Sequence, residues 1–269
     1  MDARARQFFG KGWCAFGHDP VLAEWAAAAR PVAEATLNDP ELHAKWLRCG
    51  GTWFAGVNAL PNDASGAVPA AGVPPLAGQV VEFIGEALGF KGIAWDRAQV
   101  SICFPGYPLP WEGESDSAFR FRRDHDAAHV DGLRRFEPGR RRRLSETHGF
   151  ILGLPLTRTE PDAAPFIVYE GSHEVMRRAF RNRFAGIAPV DWAAEDVTDA
   201  YVAARRDAFE SCPRVPVHAA PGEAYLAHRL VLHGVAPWGE SPETEPRVIV
   251  YFRPDPRGAE GPEWWLERP

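Results

Sequence analysis

His129-Val130-Asp131, His233 far downstream and Arg247 fourteen positions after it are the residues whose types and spacing could do chemistry. Two imidazoles and one carboxylate form the ligand set of the facial triad that holds non-haem Fe(II) with positions left open for reactants. The spacing has a physical reason. Side chains at i and i+2 of a strand point to one face, so His129 and Asp131 can reach the same ion while Val130 turns away. The third ligand then comes from another strand, and its distance along the chain is unrestricted. Arg247 offers a planar fork of donors suited to a carboxylate, the group by which a 2-oxoglutarate co-substrate would be held.

The elements that must position these residues follow from the apolar pattern. A helix is expected over 20–48, where Pro20 follows Asp19 and Leu22, Trp25, Ala26 and Ala29 recur at helical spacing. A second is expected over 76–88, after a Gly-, Pro- and Ala-rich connection at 58–75. From residue 99 the period becomes that of strands, over 99–104, 148–155, 165–169, 215–218, 223–228 and 247–253. Short strands without regularly alternating helices point to an antiparallel sandwich or barrel. One helix, 198–212, interrupts them and would lie over a pocket mouth. The expected organisation is a single domain, 1–269. A mainly helical flank covers 1–98, a barrel core 99–254 with a helical insertion near 178–212, and a tail 255–269.

Composition narrows the function classes. A net charge of -6 over 269 residues argues against a general nucleic-acid binder. No apolar run is long enough for a bilayer, and Met1 leads into Phe8 and Phe9 without a signal-peptide pattern. A cytoplasmic location is expected. Cys14, Cys49, Cys103 and Cys212 lack metal-site spacing and are expected as free thiols.

Several blocks occur in a telling order: Phe8 to Phe16, Ala128 to Leu133, His148 to Leu156, Pro165 to His173, Gly222 to Gly234 and Pro246 to Pro254. Together they resemble the phytanoyl-CoA dioxygenase family of Fe(II)/2-oxoglutarate-dependent oxygenases, over most of the chain. The resemblance implies a double-stranded β-helix, a cupin-like jelly-roll barrel with flanking helices. It implies His129, Asp131 and His233 as iron ligands and Arg247 as the anchor of the 2-oxoglutarate distal carboxylate. The implied activity is hydroxylation of a small molecule, with release of succinate and CO2. Halogenases related to this family replace the acid with a small residue, so Asp131 disfavours that chemistry. The chain departs from the family at Val235, where many relatives carry a hydroxylic residue, and at Pro237-Trp238, where an Asn is common.

Other residues have milder readings. His228 competes with His233 as a ligand but would face the opposite side, and is expected to pack. His125 and Asp126 are expected at a loop or strand entry, with support of the triad open to them, and His173 in a turn. Arg253 shares a strand face with Arg247 and is expected in a salt bridge. Arg120, Arg122, Arg123, Arg134, Arg135 and Arg140 through Arg143 bracket the His-x-Asp pair. Such a run is usually a solvated face. Here part of it could attract an anionic substrate, with Trp111 and Trp238 as an aromatic wall. Two other functions stay open: a cupin-like metal enzyme not using 2-oxoglutarate, and a catalytically silent barrel that binds a small molecule.

Overall fold

Strand burial on two faces organises the structure, a computed structural model that describes residues 3–139, 141–240, 244–257 and 261–267. Helix α1 (Ala3–Lys11) leads into β1 (Trp13–Phe16), followed by α2 (Pro20–Ala35), α3 (Pro40–Trp46), β2 (Leu47–Arg48), β3 (Trp53–Phe54) and α4 (Gln79–Ala87). Then come β4 (Gln99–Cys103), α5 (Asp116–Asp124) and a hairpin of β5 (Leu133–Phe136) and β6 (Arg141–Leu144). The chain continues through β7 (Phe150–Pro155), β8 (Phe166–Tyr169), α6 (Ser172–Phe184) and α7 (Thr198–Ser211). It closes with β9 (Arg214–Val217), β10 (Ala224–His228), β11 (His233–Val235) and β12 (Arg247–Phe252). No helix among the described residues is long and apolar enough to cross a membrane.

The strands form a large antiparallel sheet, in the order β1-β10-β7-β12-β4-β3-β2, and a small one, β11-β8-β9. The protein is thus mostly β with flanking helices. Strands β7 and β12 are buried along their whole length because both sheet faces are covered. On β12, Val248, Val250 and Phe252 join the apolar cluster built with Trp25 of α2 and Val80, Phe83 and Ile84 of α4. Ile249 and Tyr251 point the other way, into a cluster with Phe166, Val168 and Val217 of the small sheet. The alternation of a strand therefore divides the large sheet into a helix-covered side and an inner side.

One expected helix is divided. Residues 20–46 form α2 and α3 separated by a short 3-10 turn, Thr36–Asn38, and Leu47–Arg48, expected as helix, are strand β2. Pro40 disfavours a helical Asp39, which is extended and instead caps α3 by accepting from the amides of Glu41 and Leu42. The strands over 99–253 and the helix at 198–212 appear with their ends shifted by one or two residues. Helices α1 and α5 and the β5–β6 hairpin lie outside the expected elements, and α6 begins six residues before the helical insertion expected near 178–212. Their apolar positions are few, and charged residues crowd α5 and the hairpin.

Candidate metal centre and its two cavities

The His-x-Asp pair does not lie on a regular strand, contrary to the expectation from its spacing. His129 makes a single antiparallel bridge with His233, and Asp131 lies in the turn that follows. The bridge is reciprocal: His129 N–H donates to the His233 carbonyl at 2.8 Å, and His233 N–H to that of His129 at 3.1 Å. Backbone pairing brings the two imidazoles side by side, their ring centroids 4.8 Å apart.

Gly234 makes the bridge possible. A Cβ there would stand 2.1 Å from the Asp126 carbonyl oxygen, which accepts from Val235 N–H at 2.9 Å. Asp126 and Ala127 have positive φ of 57° and 51°, a turn held from outside. The buried Asp126 carboxylate accepts two bonds from Arg214, at 2.8 and 2.7 Å, and one from the Tyr169 hydroxyl at 3.0 Å. Asp126, expected at a loop or strand entry with support of the triad open to it, is thus the anchor of the loop that presents His129.

His129, Asp131 and His233 each offer one ligand atom, and these atoms lie within 4.8 Å of one another. The Nδ1 of His129 donates to the Ala127 carbonyl and that of His233 to the Val231 carbonyl, both at 3.0 Å. In the neutral rings this leaves the Nε2 lone pairs facing the carboxylate, at 3.1 Å for His129 and 3.6 Å for His233. Three electron-rich atoms converging in this way suit a cation. Carbonyl-fixed tautomers are also the usual second layer of a metal site. Arg253 donates to Asp131 Oδ2 at 3.2 Å, realising the salt bridge expected for it.

Electrostatics keep Asp131 ionised and His233 neutral. Burial opposes ionisation of Asp131, but Arg253, His233 and His129 outweigh it and hold the carboxyl well below its usual range. Burial pushes His233 down to about 4, against the opposing pull of Asp131. His148 is buried beside the centre, its Nε2 without a hydrogen-bond partner, and burial pushes it likewise to about 4. Nothing in the sequence marked His148 beyond its place at a strand entry.

A 90 Å³ cavity contains all three triad residues together with Trp53, Tyr251 and Arg253. Arg247 faces a different cavity, of 200 Å³, with Thr157, His218, Tyr225 and Ile249. Phe166 borders both. The Tyr225 hydroxyl on one side donates to that of Tyr251 on the other at 2.9 Å. Gly153 permits this wall, since a Cβ there would fall 2.3 Å from the Tyr225 ring. Arg247 is buried; its Nη2 reaches the Cys103 sulfur at 3.5 Å, and its guanidinium also interacts with the Tyr251 hydroxyl. Its Nε and Nη1 have no acceptor.

The other candidates separate. His228 is buried on the far side, where Leu230 N–H donates to its Nδ1 and Arg177 lies 2.9 Å from its Nε2. His173, expected in a turn, begins α6 and is buried against the Phe9 carbonyl. Trp238 packs with Cys49, Cys103 and Tyr107 and lines none of these cavities, whereas Trp111 borders a third. That cavity, of 630 Å³, lies beside His129 and is also lined by Phe121, Arg135, Arg142 and Arg205. Arg140 lies outside the described residues. All four cysteines are free, and Cys14, Cys49 and Cys103 are buried.

No protein-family model matches the sequence, and no curated protein matches it with significance. Among solved structures, the chain is similar to the non-heme alpha ketoglutarate dependent carbocyclase SnoK from nogalamycin biosynthesis. The TM-score is 0.53 at 14% identity, covering 94% of this chain and 83% of that one. EctD from S. alaskensis with bound Fe follows at 0.49 and 14%, covering 94% and 76%. A Pseudomonas putida prolyl-4-hydroxylase follows at 0.45 and 13%, covering 95% and 98%. At these identities the likeness to SnoK establishes a shared fold.

Proposed function

We propose that this protein is an Fe(II)- and 2-oxoglutarate-dependent dioxygenase of the phytanoyl-CoA dioxygenase-like group, and that it hydroxylates a small molecule. The observation that carries this reading is the convergence of two carbonyl-fixed histidines and Asp131, ligand atoms within 4.8 Å. The two facing sheets support a double-stranded β-helix, and the chain as a single oxygenase domain, within which that centre sits.

His129 and His233 would hold the metal through Nε2, and Asp131 through a carboxylate oxygen. Bound iron with 2-oxoglutarate supplies the oxidising chemistry, in which dioxygen and the 2-oxo acid give succinate, CO2 and one oxygen atom for the substrate. The chain's own part is placement. Arg253 and the two carbonyl bonds fix the ligand orientations. Phe166, Ile151 and Tyr251 keep the inner side apolar and restrict water. Arg247 fits the distal carboxylate because two of its buried donors have no acceptor within the protein.

A second reading is favoured by one observation. Phe166 and the Tyr225–Tyr251 pair stand between the cavity of Arg247 and that of the triad. If that wall does not yield to 2-oxoglutarate, the protein is a metal enzyme of another kind. Anaerobic titration of Fe(II)-loaded protein with 2-oxoglutarate separates the two through the weak visible charge-transfer band, with Arg247→Ala and His233→Ala as controls. A band that needs both residues is expected. Iron binding without a band would support the second reading, and no iron binding would end both. Hydroxylation itself requires a product heavier by one oxygen atom, formed with succinate.

A further inference from the structure

The 630 Å³ cavity beside His129 gathers like charges that aromatic rings cover but no acid among the described residues balances. Arg135 and Arg142 are register partners, directly opposite across the β5–β6 hairpin. Like charges placed so cost stability. Strand β6 docks onto the start of α7, where Val197 N–H donates to the Arg142 carbonyl and Arg142 N–H to the Thr198 hydroxyl at 2.7 Å. That docking sets a third arginine, Arg205 of α7, on the same cavity. Arg142 and Arg205 both lie over the Tyr201 ring, at 4.8 and 5.6 Å from its centroid.

No salt bridge to Arg135, Arg142 or Arg205 occurs among the described residues. This sets them apart from Arg141, which pairs with Asp196, and Arg122, which pairs with Glu114 at 2.7 Å. Glu114 is the only acid among the described residues lining the cavity, and Arg122 occupies it. Arg122 in turn lies over Trp111 at 4.3 Å, fixing an aromatic surface at the cavity edge. Burial, together with the Arg135 and Arg205 charges, pulls the Arg142 guanidinium below its ordinary range. An anion would relieve that repulsion.

We propose that this cavity binds the prime substrate, an organic anion. Its carboxylate or phosphoryl group sits among Arg135, Arg142 and Arg205, and its carbon body lies along Trp111 and Phe121 toward His129. The proposal rests on the oxygenase reading for the word substrate, and on the arginine geometry alone for the anion. Guanidinium donors suit both oxyanions.

Calorimetric titration of the Fe(II)- and 2-oxoglutarate-loaded protein, without oxygen, tests it with phenyl phosphate, benzoate and neutral phenol as probes. A charged probe should bind at least about 10-fold tighter than phenol, with a further loss of about 10-fold in Arg142→Gln and in Arg205→Gln. Lysine at either position should restore part of the affinity. Whichever of phenyl phosphate and benzoate binds tighter assigns the anionic group. Arg135→Gln, at an exposed position, provides the same readout should Arg142→Gln fail to fold. Equal binding of phenol and the anions, or affinities indifferent to all three glutamine substitutions, would overturn the proposal. The charge-transfer band keeps the two readings apart. A band without anion binding overturns only this inference. Anion binding through the arginines without a band overturns the oxygenase and supports the anion pocket.

Discussion

Two buried arginines, eighteen residues apart, occupy opposite situations. Arg229, 1% exposed, donates from Nε to the Trp265 carbonyl at 2.8 Å and from Nη2 to those of Trp264 and Glu267 at 2.9 and 2.7 Å. It ties the C-terminal turn to the sheet. Arg247, 4% exposed, has two nitrogens without an acceptor and a third on a sulfur. A charged group buried for structure is satisfied by the protein itself, because an unmet donor costs about 1–3 kcal/mol. A charged group left unmet in a cavity is suited to a ligand that completes it. A related contrast separates Asp126, enclosed by Arg214 and Tyr169, from Asp131, which accepts from Arg253 and otherwise faces two histidine lone pairs.

The largest expected effect lies on the unsatisfied side. His233→Ala should abolish stoichiometric Fe(II) retention, measured by metal analysis after desalting; retention at wild-type level would remove the metal centre from this account. Arg247→Ala should weaken 2-oxoglutarate by about 100-fold while changing unfolding free energy by less than about 1 kcal/mol. Arg229→Ala should do the reverse. It leaves four carbonyls, those of Gly149, Trp264, Trp265 and Glu267, without their donor and should cost about 3 kcal/mol in denaturant melts, with 2-oxoglutarate affinity unchanged in whatever remains folded. Equal stability losses at the two arginines would break the comparison.

Acid should reveal the same asymmetry in metal-free protein. His148 and His233 have folded values near 4 against an ordinary 6.5, so the unfolded chain takes up their protons first. Their stabilising contribution is complete above about pH 6.5 and is lost as pH falls toward 4. Asp131, held low in the fold, adds a loss at still lower pH. Unfolding curves across this window should flatten in His148→Gln by on the order of 1–3 kcal/mol. An unchanged slope would remove His148 from the balance.

The smallest effect is expected at the outer anchor. Arg214 is nearly half exposed, so solvent screens its pair with Asp126. Arg214→Ala should cost about 1–2 kcal/mol and lower iron affinity about 10-fold by loosening the His129 loop. A loss of stability with iron affinity untouched would make Asp126 a purely structural residue.

Residue type and local spacing determined much of this protein before any fold was known. The triad candidates were legible as residue types, a His-x-Asp pair and a distant His, although the strand geometry expected for the pair is not what holds it. The Arg at the start of the last strand and the core strands were legible because period-two burial is a local property. The break at Asp39-Pro40 was legible in principle, since proline restricts its predecessor whatever surrounds it. Tertiary structure alone decided what each polar group meets. The His129–His233 bridge joins segments distant in sequence, and Gly234 matters only because the Asp126 carbonyl passes over it. Arg229 and Arg247 are the same residue type in adjacent regions of the chain. One finds carbonyls and the other a cavity, because partners for a buried charge come from chain packing, which no local pattern encodes. The separation of Arg247 from the triad by Phe166 and two tyrosines, and the meeting of Arg142 with Arg205, arise in the same way.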